Sequence, residues 1–412
     1  MDKPVNALFI SFDGLTDPLG QSQVIPYITG LAKNGYHITI LSCEKRARYN
    51  KSSAKIKSTL VEHGIQWSPV NYTKNVPVFA PLFNLAKMYF AAKKILRRQP
   101  IQLFHCRSTM AGILGLMLMT SSRPKLLFDM RGFWADERVD GGVWPQSKFI
   151  YRIIYRFIRK QEETLLKTAD HIISLTHAGK IIIEEQMASR ERHAPVTVIP
   201  CCADFNLFNP TDFNNDVALN RRSLLKIDAR SFVTAYLGSI GTWYMLSEML
   251  QFFKMLNSEL PGSCFLFITK EDPAIILSAA DKIGLDRSLI RIESAERSEI
   301  PELLAICNAT IFFILPSYSK KASSPVKLGE SLAMGVPVIC NSGVGDGDYI
   351  MKDNKAGWIV NTLDENGFLT VINQIKKNIV FDKDQVRKFG EQYFSLEKGI
   401  ENYVSVYRQL MK

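Results

Sequence analysis

Short apolar runs alternate along the chain with longer segments in which apolar residues recur every three or four positions. The runs Ala7–Phe12, His37–Leu41, Ile101–Cys106, Leu126–Met130, Ala169–Leu175 and Val196–Ile199 lie in the first half. Phe232–Gly238, Cys264–Thr269, Ala309–Leu315 and Val336–Cys340 lie in the second. Near-continuous apolar runs predict strands buried on both faces, as in parallel sheets. Between them, Val24, Ile28 and Leu31 predict a helix over about Gln21–Asn34, closed by Gly35. Further helices are predicted over Asn84–Arg98, Lys148–Lys167, Ile300–Asn308 and Val326–Met334. An apolar stretch with two prolines, Val76–Phe83, leads into the first of these. Alternating strands and helices make this an α/β protein.

The stretch Leu315–Asn341 carries the most chemistry. The strand Ala309–Leu315 is followed by a polar, basic loop, Pro316–Ser324. Pro325 then suits a helix start, where its missing N–H goes unmissed. Gly335 ends the helix and Pro337 prevents its return. Loop and helix start therefore sit at the carboxyl end of a parallel strand, where open α/β sheets bind ligands. Lys327 lies in the first helical turn, where a cation opposes the helix dipole, so an anion nearby accounts for it better than helix stability does. Glu330 is placed to accept hydrogen bonds from a ribose diol. The competing reading is a surface pair at i, i+3, worth a few tenths of a kcal/mol.

Two other loops follow strands. Asp13–Gly20 is rich in turn formers, and Gly14 and Gly20 are its candidates for close approach to substrate. It lacks the G-x-G-x-x-G fingerprint, which argues against a dinucleotide enzyme. After Leu126–Met130, charges crowd the strand end at Asp129, Arg131, Asp136, Glu137 and Arg138. The predicted helices Asn84–Arg98 and Lys148–Lys167 mix apolar residues with Lys87, Lys93, Lys94, Arg97 and Arg98, and with Lys148, Arg152, Arg156, Arg159 and Lys160. Such basic amphipathic helices suit an anionic membrane surface, or are solvated faces of ordinary surface helices.

At 412 residues the chain predicts two domains. Its 46% apolar and 22% charged composition is that of a globular protein. The net charge is +11, and its distribution is uneven. Residues 1–205 hold 28 Lys and Arg against 16 Asp and Glu, whereas residues 206–412 hold 23 against 24. The excess predicts an anionic partner for the first half. Seven cysteines without C-x-x-C spacing predict buried thiols and a cytoplasmic setting. Cys201–Cys202 without a neighbouring His is a weak metal candidate. No metal-ligand cluster or membrane-spanning run is legible.

The segment SSPVKLGESLAMGVPVI resembles the C-terminal signature of glycosyltransferase family 4, E-G-F-G-x-P-x-x-E-A-x-A-x-G-x-P-V. Glu330 matches its second Glu, and Ala322 stands at its first. SSPVKLGE also resembles a family sub-pattern, S-P-x-K-x-x-E, with a Lys in the phosphate region. VIPCCADFNLF, Val198–Phe208, is similar to the family's inter-domain V-I-x-N-G-V-D-x-x-x-F, and Phe394–Glu397 to its closing F-S-W-E helix. Ser239 and Tyr244 stand where the family has the Arg and Lys of its pyrophosphate clamp.

The resemblance implies a GT-B fold: two Rossmann-like domains, 1–205 and 206–393, a cleft between them, and a helix 394–412 crossing back to domain one. It implies a retaining, metal-independent glycosyltransferase without a cofactor. The donor is a nucleotide-sugar held by Glu330, Ser239, Thr242, Ser323, Ser324, Leu328 and Gly20. Arg131, Lys327 and Asp129 are the catalytic candidates, with Arg131 facing the acceptor and the reacting sugar. Lys320, Lys321 and Lys270 are further candidates for phosphate. The acceptor expected is a lipid-linked or membrane-proximal glycan in polysaccharide synthesis, reached from a peripheral position on the inner face of a membrane, with no nucleic-acid partner. A sugar-nucleotide epimerase and a non-catalytic nucleotide or glycan binder are the alternatives.

Overall fold

The computed structural model describes residues 5–74, 80–119, 123–188, 193–352, 355–377 and 381–412. Residues 75–79, within the predicted Val76–Phe83 stretch, lie outside them. The chain divides into two compact units, Met1–Pro200 with Leu396–Lys412, and Cys201–Ser395. The division falls at Pro200, ahead of the boundary expected near 205.

The first unit is built on seven parallel strands: Asn6–Ser11 (β1), His37–Glu44 (β2), Gln66–Asn71 (β3), Leu103–Arg107 (β4), Lys125–Asp129 (β5), His171–Ser174 (β6) and Val196–Val198 (β7). Their order is β3-β2-β1-β4-β5-β6-β7. Direction reverses between β1 and β4, so the crevice at the carboxyl ends of those two strands is the unit's natural ligand position. The helix predicted over Gln21–Asn34 is two, Pro18–Gln23 and Ile25–Lys33, broken at Val24. Pro26 explains the break, because it has no N–H to continue the first helix's bonding.

The C-terminal helix Leu396–Met411 belongs to this unit. It lies against the helix Ile25–Lys33, where Gly30 makes room: a Cβ there would come 2.5 Å from Ile400 Cδ1. Tyr403 and Tyr407, four residues apart on one face, are both buried. Their rings meet Tyr27 and Tyr36 edge-on, at 5.2 and 4.9 Å.

The second unit has six parallel strands: Val233–Leu237 (β8), Cys264–Ile268 (β9), Ile290–Glu293 (β10), Ala309–Phe312 (β11), Val338–Asn341 (β12) and Gly357–Val360 (β13). The order β10-β9-β8-β11-β12-β13 reverses between β8 and β11. The segment after Pro200 is tied into this unit. Ala203 bridges to Ser395, and the Arg387 guanidinium donates to the carbonyls of Phe205 (2.7 Å) and Phe208 (2.5 Å) and to that of Ala333.

The motif helix is Val326–Ala333. It ends as its sequence predicts. Gly335 is left-handed at φ +66°, with its N–H on Leu332 O and that of Val336 on Ser331 O. This closes the last carbonyls in a Schellman motif. A Cβ at Gly335 would lie 2.6 Å from the Lys383 carbonyl oxygen. Gly335→Ala is therefore expected to destabilise the protein by about 1–3 kcal/mol, through strain and contact together. Chemical denaturation checks this, and an unchanged midpoint counts against the cap.

Candidate functional site

In the second unit, the β8–β11 switch point gathers the loop after β8, the loop after β11 and the start of the motif helix. The β8 loop turns at Gly238, left-handed at φ +105°. Tyr236 on β8 donates its hydroxyl to Ser239 O at 2.5 Å, and Tyr244 bridges back to Ile314. These two tyrosines receive Lys327. Its Nζ stands 4.0 Å from the Tyr236 ring centre and 3.6 Å from that of Tyr244.

Lys327 is 8% exposed, and among the described residues its ammonium has no hydrogen-bond partner. Burial drives its pKa well below 10.5, opposed by Glu330. A Cβ at Gly238 would lie 3.6 Å from Nζ. The missing side chain leaves that side of the ammonium uncovered.

Glu330 is also buried, and it pairs with Arg297, Oε1 to Nη1 at 2.5 Å. Burial pushes its carboxyl up, and the Arg297 charge and hydrogen bond oppose the shift. Arg297 in turn lies over the Phe208 ring at 5.3 Å. The surface-pair reading of Lys327 and Glu330 is therefore excluded: both are buried, and Glu330 is paired elsewhere.

The remaining donor-side candidates are spread around this core. Ser239 and Thr242 are exposed on the β8 loop, with Thr242 at φ +30°. Ser324 accepts the Cys201 N–H at 3.2 Å, and Ser323 is half-buried beside it. Leu328 faces the hydrophobic core. Lys320 is buried with Nζ 3.7 Å from the Trp243 ring centre, so successive aromatics of the β8 loop each hold a lysine. Lys270 pairs with Glu296 at 2.8 Å, and Lys321 is exposed.

In the first unit, the loop after β1 is pinned by a carboxylate the sequence reading passed over. Glu44, fully buried at the end of β2, accepts from Leu15 N (2.7 Å), Thr16 Oγ1 (2.6 Å) and Ser42 Oγ (2.6 Å). Gly14 is required there, because a Cβ would lie 2.6 Å from Glu44 Oε2. Gly20 packs against the same loop, where a Cβ would meet Gly14 O at 2.2 Å. Both glycines thus serve the packing of this loop.

Asp129, at the end of β5, is 1% exposed. Arg131 Nη1 is 3.7 Å from one of its oxygens. The other accepts from Tyr403 Oη at 3.0 Å and lies 3.5 Å from His105 Nε2. Burial pushes the Asp129 carboxyl up, but Arg131, His105 and Arg107 outweigh it and hold it below 3.8. Burial pushes the His105 ring below its usual 6.5, opposed by Asp129. Its Nδ1 is 2.9 Å from Tyr407 Oη. Asp129 thus joins Arg131 to the C-terminal helix. Lys327 and Glu330 share one unit, and Asp129 and Arg131 the other.

Of the looser candidates, Asp136 is 2.8 Å from Tyr155 Oη and 3.3 Å from Arg159, and Arg138 lies over the Trp134 ring at 4.9 Å. Arg297, Glu44, Tyr236 and Tyr403 were not singled out in the sequence. Each acts through a partner at least 29 residues away, as Glu44 does with Leu15, so no local spacing marks it.

Two family models match in chain order. Residues 23–207 match the model described as Glycosyltransferase Family 4, and residues 220–392 the model described as Glycosyl transferases group 1. No individual curated protein matches. Solved structures do. Sucrose-phosphate synthase from Thermosynechococcus elongatus is similar at 16% identity and TM-score 0.72, over 99% of this chain and 99% of that one. Anabaena HepE in complex with UDP and glucose is similar at 13% and 0.72, over 98% and 100%. WaaG, a glycosyltransferase involved in lipopolysaccharide biosynthesis, is similar at 14% and 0.65, over 96% and 98%. At such identities these likenesses show the fold, and it is the GT-B fold.

A buried ammonium without a hydrogen bond destabilises the resting protein. Lys327→Met is expected to raise stability without ligand by about 1–4 kcal/mol. The pH dependence follows. Unfolding lets Lys327 take up a proton, so wild-type stability rises with pH from the lowered pKa up to 10.5. Denaturation of both proteins across that range checks this. The rise that the variant loses is the contribution of Lys327, and parallel profiles would refute the lowering of its pKa by burial.

Proposed function

The chain belongs to the family 4 glycosyltransferases, and from that premise we propose that it transfers a sugar from a nucleotide-sugar to an acceptor hydroxyl using Lys327 and Glu330. The observation that carries this is the caged ammonium of Lys327 at a helix start on the β8–β11 switch point. As the sugar–phosphate bond breaks, negative charge grows on the departing phosphate. A fixed cation in a dry site stabilises that charge more than it stabilises the bound donor, which is what accelerates the step. Glu330, held by Arg297, offers its carboxylate to the ribose hydroxyls. Transfer proceeds with retention and without a metal, the positive charge coming from side chains. HepE was solved with UDP, so uridine diphosphate sugars are the first donors to try.

The acceptor is a lipid-linked or membrane-proximal glycan, and the first unit rests peripherally on the inner face of a membrane. The surface supports this. On the helix Phe149–Thr168, Phe149 is 68% exposed, and Ile150, Ile153 and Phe157 are exposed with it, among Arg152, Arg156 and Lys160. The helix Ala80–Leu96 exposes Leu82, Phe83 and Phe90 beside Lys87, Lys93 and Lys94. No described helix is long and apolar enough to cross a membrane. WaaG acts in lipopolysaccharide synthesis, a setting of the same kind.

Two measurements test the reading. Glu330→Gln is expected to weaken nucleoside diphosphate binding by about 1.5–3 kcal/mol, and Lys327→Ala to lower turnover by at least about a hundredfold with the fold intact. Wild-type values in either variant would displace the site. Isomerisation of a nucleotide-sugar incubated without acceptor would replace transfer by epimerisation. Separately, wild-type protein is expected to sediment with anionic liposomes at low salt, and Phe149→Ser/Phe157→Ser to lose most of that binding. Equal sedimentation of the two would remove the membrane part.

A further inference from the structure

The first unit has a switch point of its own, between β1 and β4, and a buried guanidinium there has only a weak partner. Arg107 ends β4 and is 5% exposed. It is the register partner of Ser11 on β1 and of Asp129 on β5. Among the described residues its ion pair is with Asp13, at 3.5 Å, and its Nε has no hydrogen-bond partner. Asp13 is a weak partner, because its side chain is 53% exposed and the contact is at the limit of a hydrogen bond. Asp129 accepts from Tyr403 and lies 3.7 Å from Arg131 and 3.5 Å from His105. Glu44 and Glu162, the other buried carboxylates nearby, are taken up by Leu15, Thr16 and Ser42 and by Thr109 and Arg159, so Arg107 is left with the exposed Asp13. Ser108, next in the chain, sits at φ +77°, a conformation that a non-glycine residue adopts under strain. A buried charge lacking a full partner is unfavourable by several kcal/mol, and a guanidinium is shaped to take a phosphate through two parallel hydrogen bonds.

We propose that Arg107, with Arg131, forms an anion site at the β1–β4 switch point that holds a phosphate group of the acceptor. In the resting protein Asp13 occupies Arg107 from the solvent side, and the incoming phosphate replaces it. The word acceptor rests on the transferase reading; the anion site does not. Either a lipid headgroup or a soluble sugar phosphate supplies this chemistry.

The test uses the full chain carrying Lys327→Ala, so that the phosphate locus of the second unit is silent, and inorganic phosphate as the probe. Arg107→Gln on that background is expected to weaken phosphate binding by more than about tenfold. Asp13→Asn, at an exposed position, is expected to strengthen it by about two- to fivefold, because a competing carboxylate is gone. Phosphate affinity unchanged in Arg107→Gln, or weakened in Asp13→Asn, overturns the proposal. If Arg107→Gln does not fold, the sign of the Asp13→Asn effect decides. Vesicles of phosphatidylcholine with phosphatidic acid, offered to the chain that also carries Phe149→Ser/Phe157→Ser so that the exposed helix face is silent, separate the sources. Binding that Arg107→Gln abolishes means a lipid-borne phosphate, and binding it leaves intact, with free phosphate lost, means a soluble one. Nucleoside diphosphate binding to the chain with native Lys327 is scored separately. Its absence would remove the donor reading while leaving an Arg107-dependent phosphate site in place.

Discussion

A lysine ammonium buried without a hydrogen bond is the constraint around which the second unit's site is arranged. Moving such a group out of water is unfavourable by several kcal/mol. Two aromatic faces return about 0.5–2 kcal/mol each, which leaves a deficit in the resting protein. The surrounding features follow from that deficit. Tyr236 is fixed by being inside β8, and Tyr244 by its bridge to Ile314. Gly238 keeps one side of the ammonium open. Glu330 lies one helical turn along, but its charge is taken by Arg297, so it does not neutralise the lysine. The proposed partner that completes the set is an anion arriving from outside.

The first unit solves the opposite problem with carboxylates. Glu44 satisfies the donors of the loop after β1, and Asp129 joins Arg131 to the C-terminal helix through Tyr403. Glu162, buried, accepts from Thr109 at 3.0 Å and Arg159 at 2.9 Å. These anions fix backbone and guanidiniums at the carboxyl ends of strands. Rigid placement of that kind is what a site needs before it binds anything. The seventeen residues after Ser395 belong to the first unit for a concrete reason: Tyr403 and Tyr407 supply hydroxyls that the buried Asp129 and His105 would otherwise lack.

The central strands and the motif helix were legible because their signals are local. Apolar runs mark β1, β4, β8 and β11, and Pro325 and Gly335 bracket the helix. The strands that escaped, β3, β10 and β13, all lie at sheet edges. β3 and β10 are half-exposed, and β3 carries Pro69, which an edge tolerates and a central strand does not. Lys327 and Glu330 were legible as a pair of charges at a helix start. What the sequence did not reveal is who meets them. Arg297 is 33 residues from Glu330, and Tyr236 is on a strand the motif does not include. Such partners come together only through the topology of the sheet.

The same long-range partners explain how the chain departs from the family pattern without an obvious loss of charge logic. The pattern has two carboxylates beside an Arg and a Lys. Here one carboxylate is replaced by Ala322, which is buried in the turn Tyr318–Ala322, and both cations of the β8 loop are gone. Losing them together leaves Glu330 paired with Arg297 and the cation of Lys327 without a paired carboxylate. The difference is where that cation sits. Exposed cations on a loop are screened by salt within about 8–10 Å and keep their hydration. Lys327 is screened little, because protein rather than solvent surrounds it. Its field is strong at contact. The role proposed for such a group is therefore in the reacting state, where charge appears beside it.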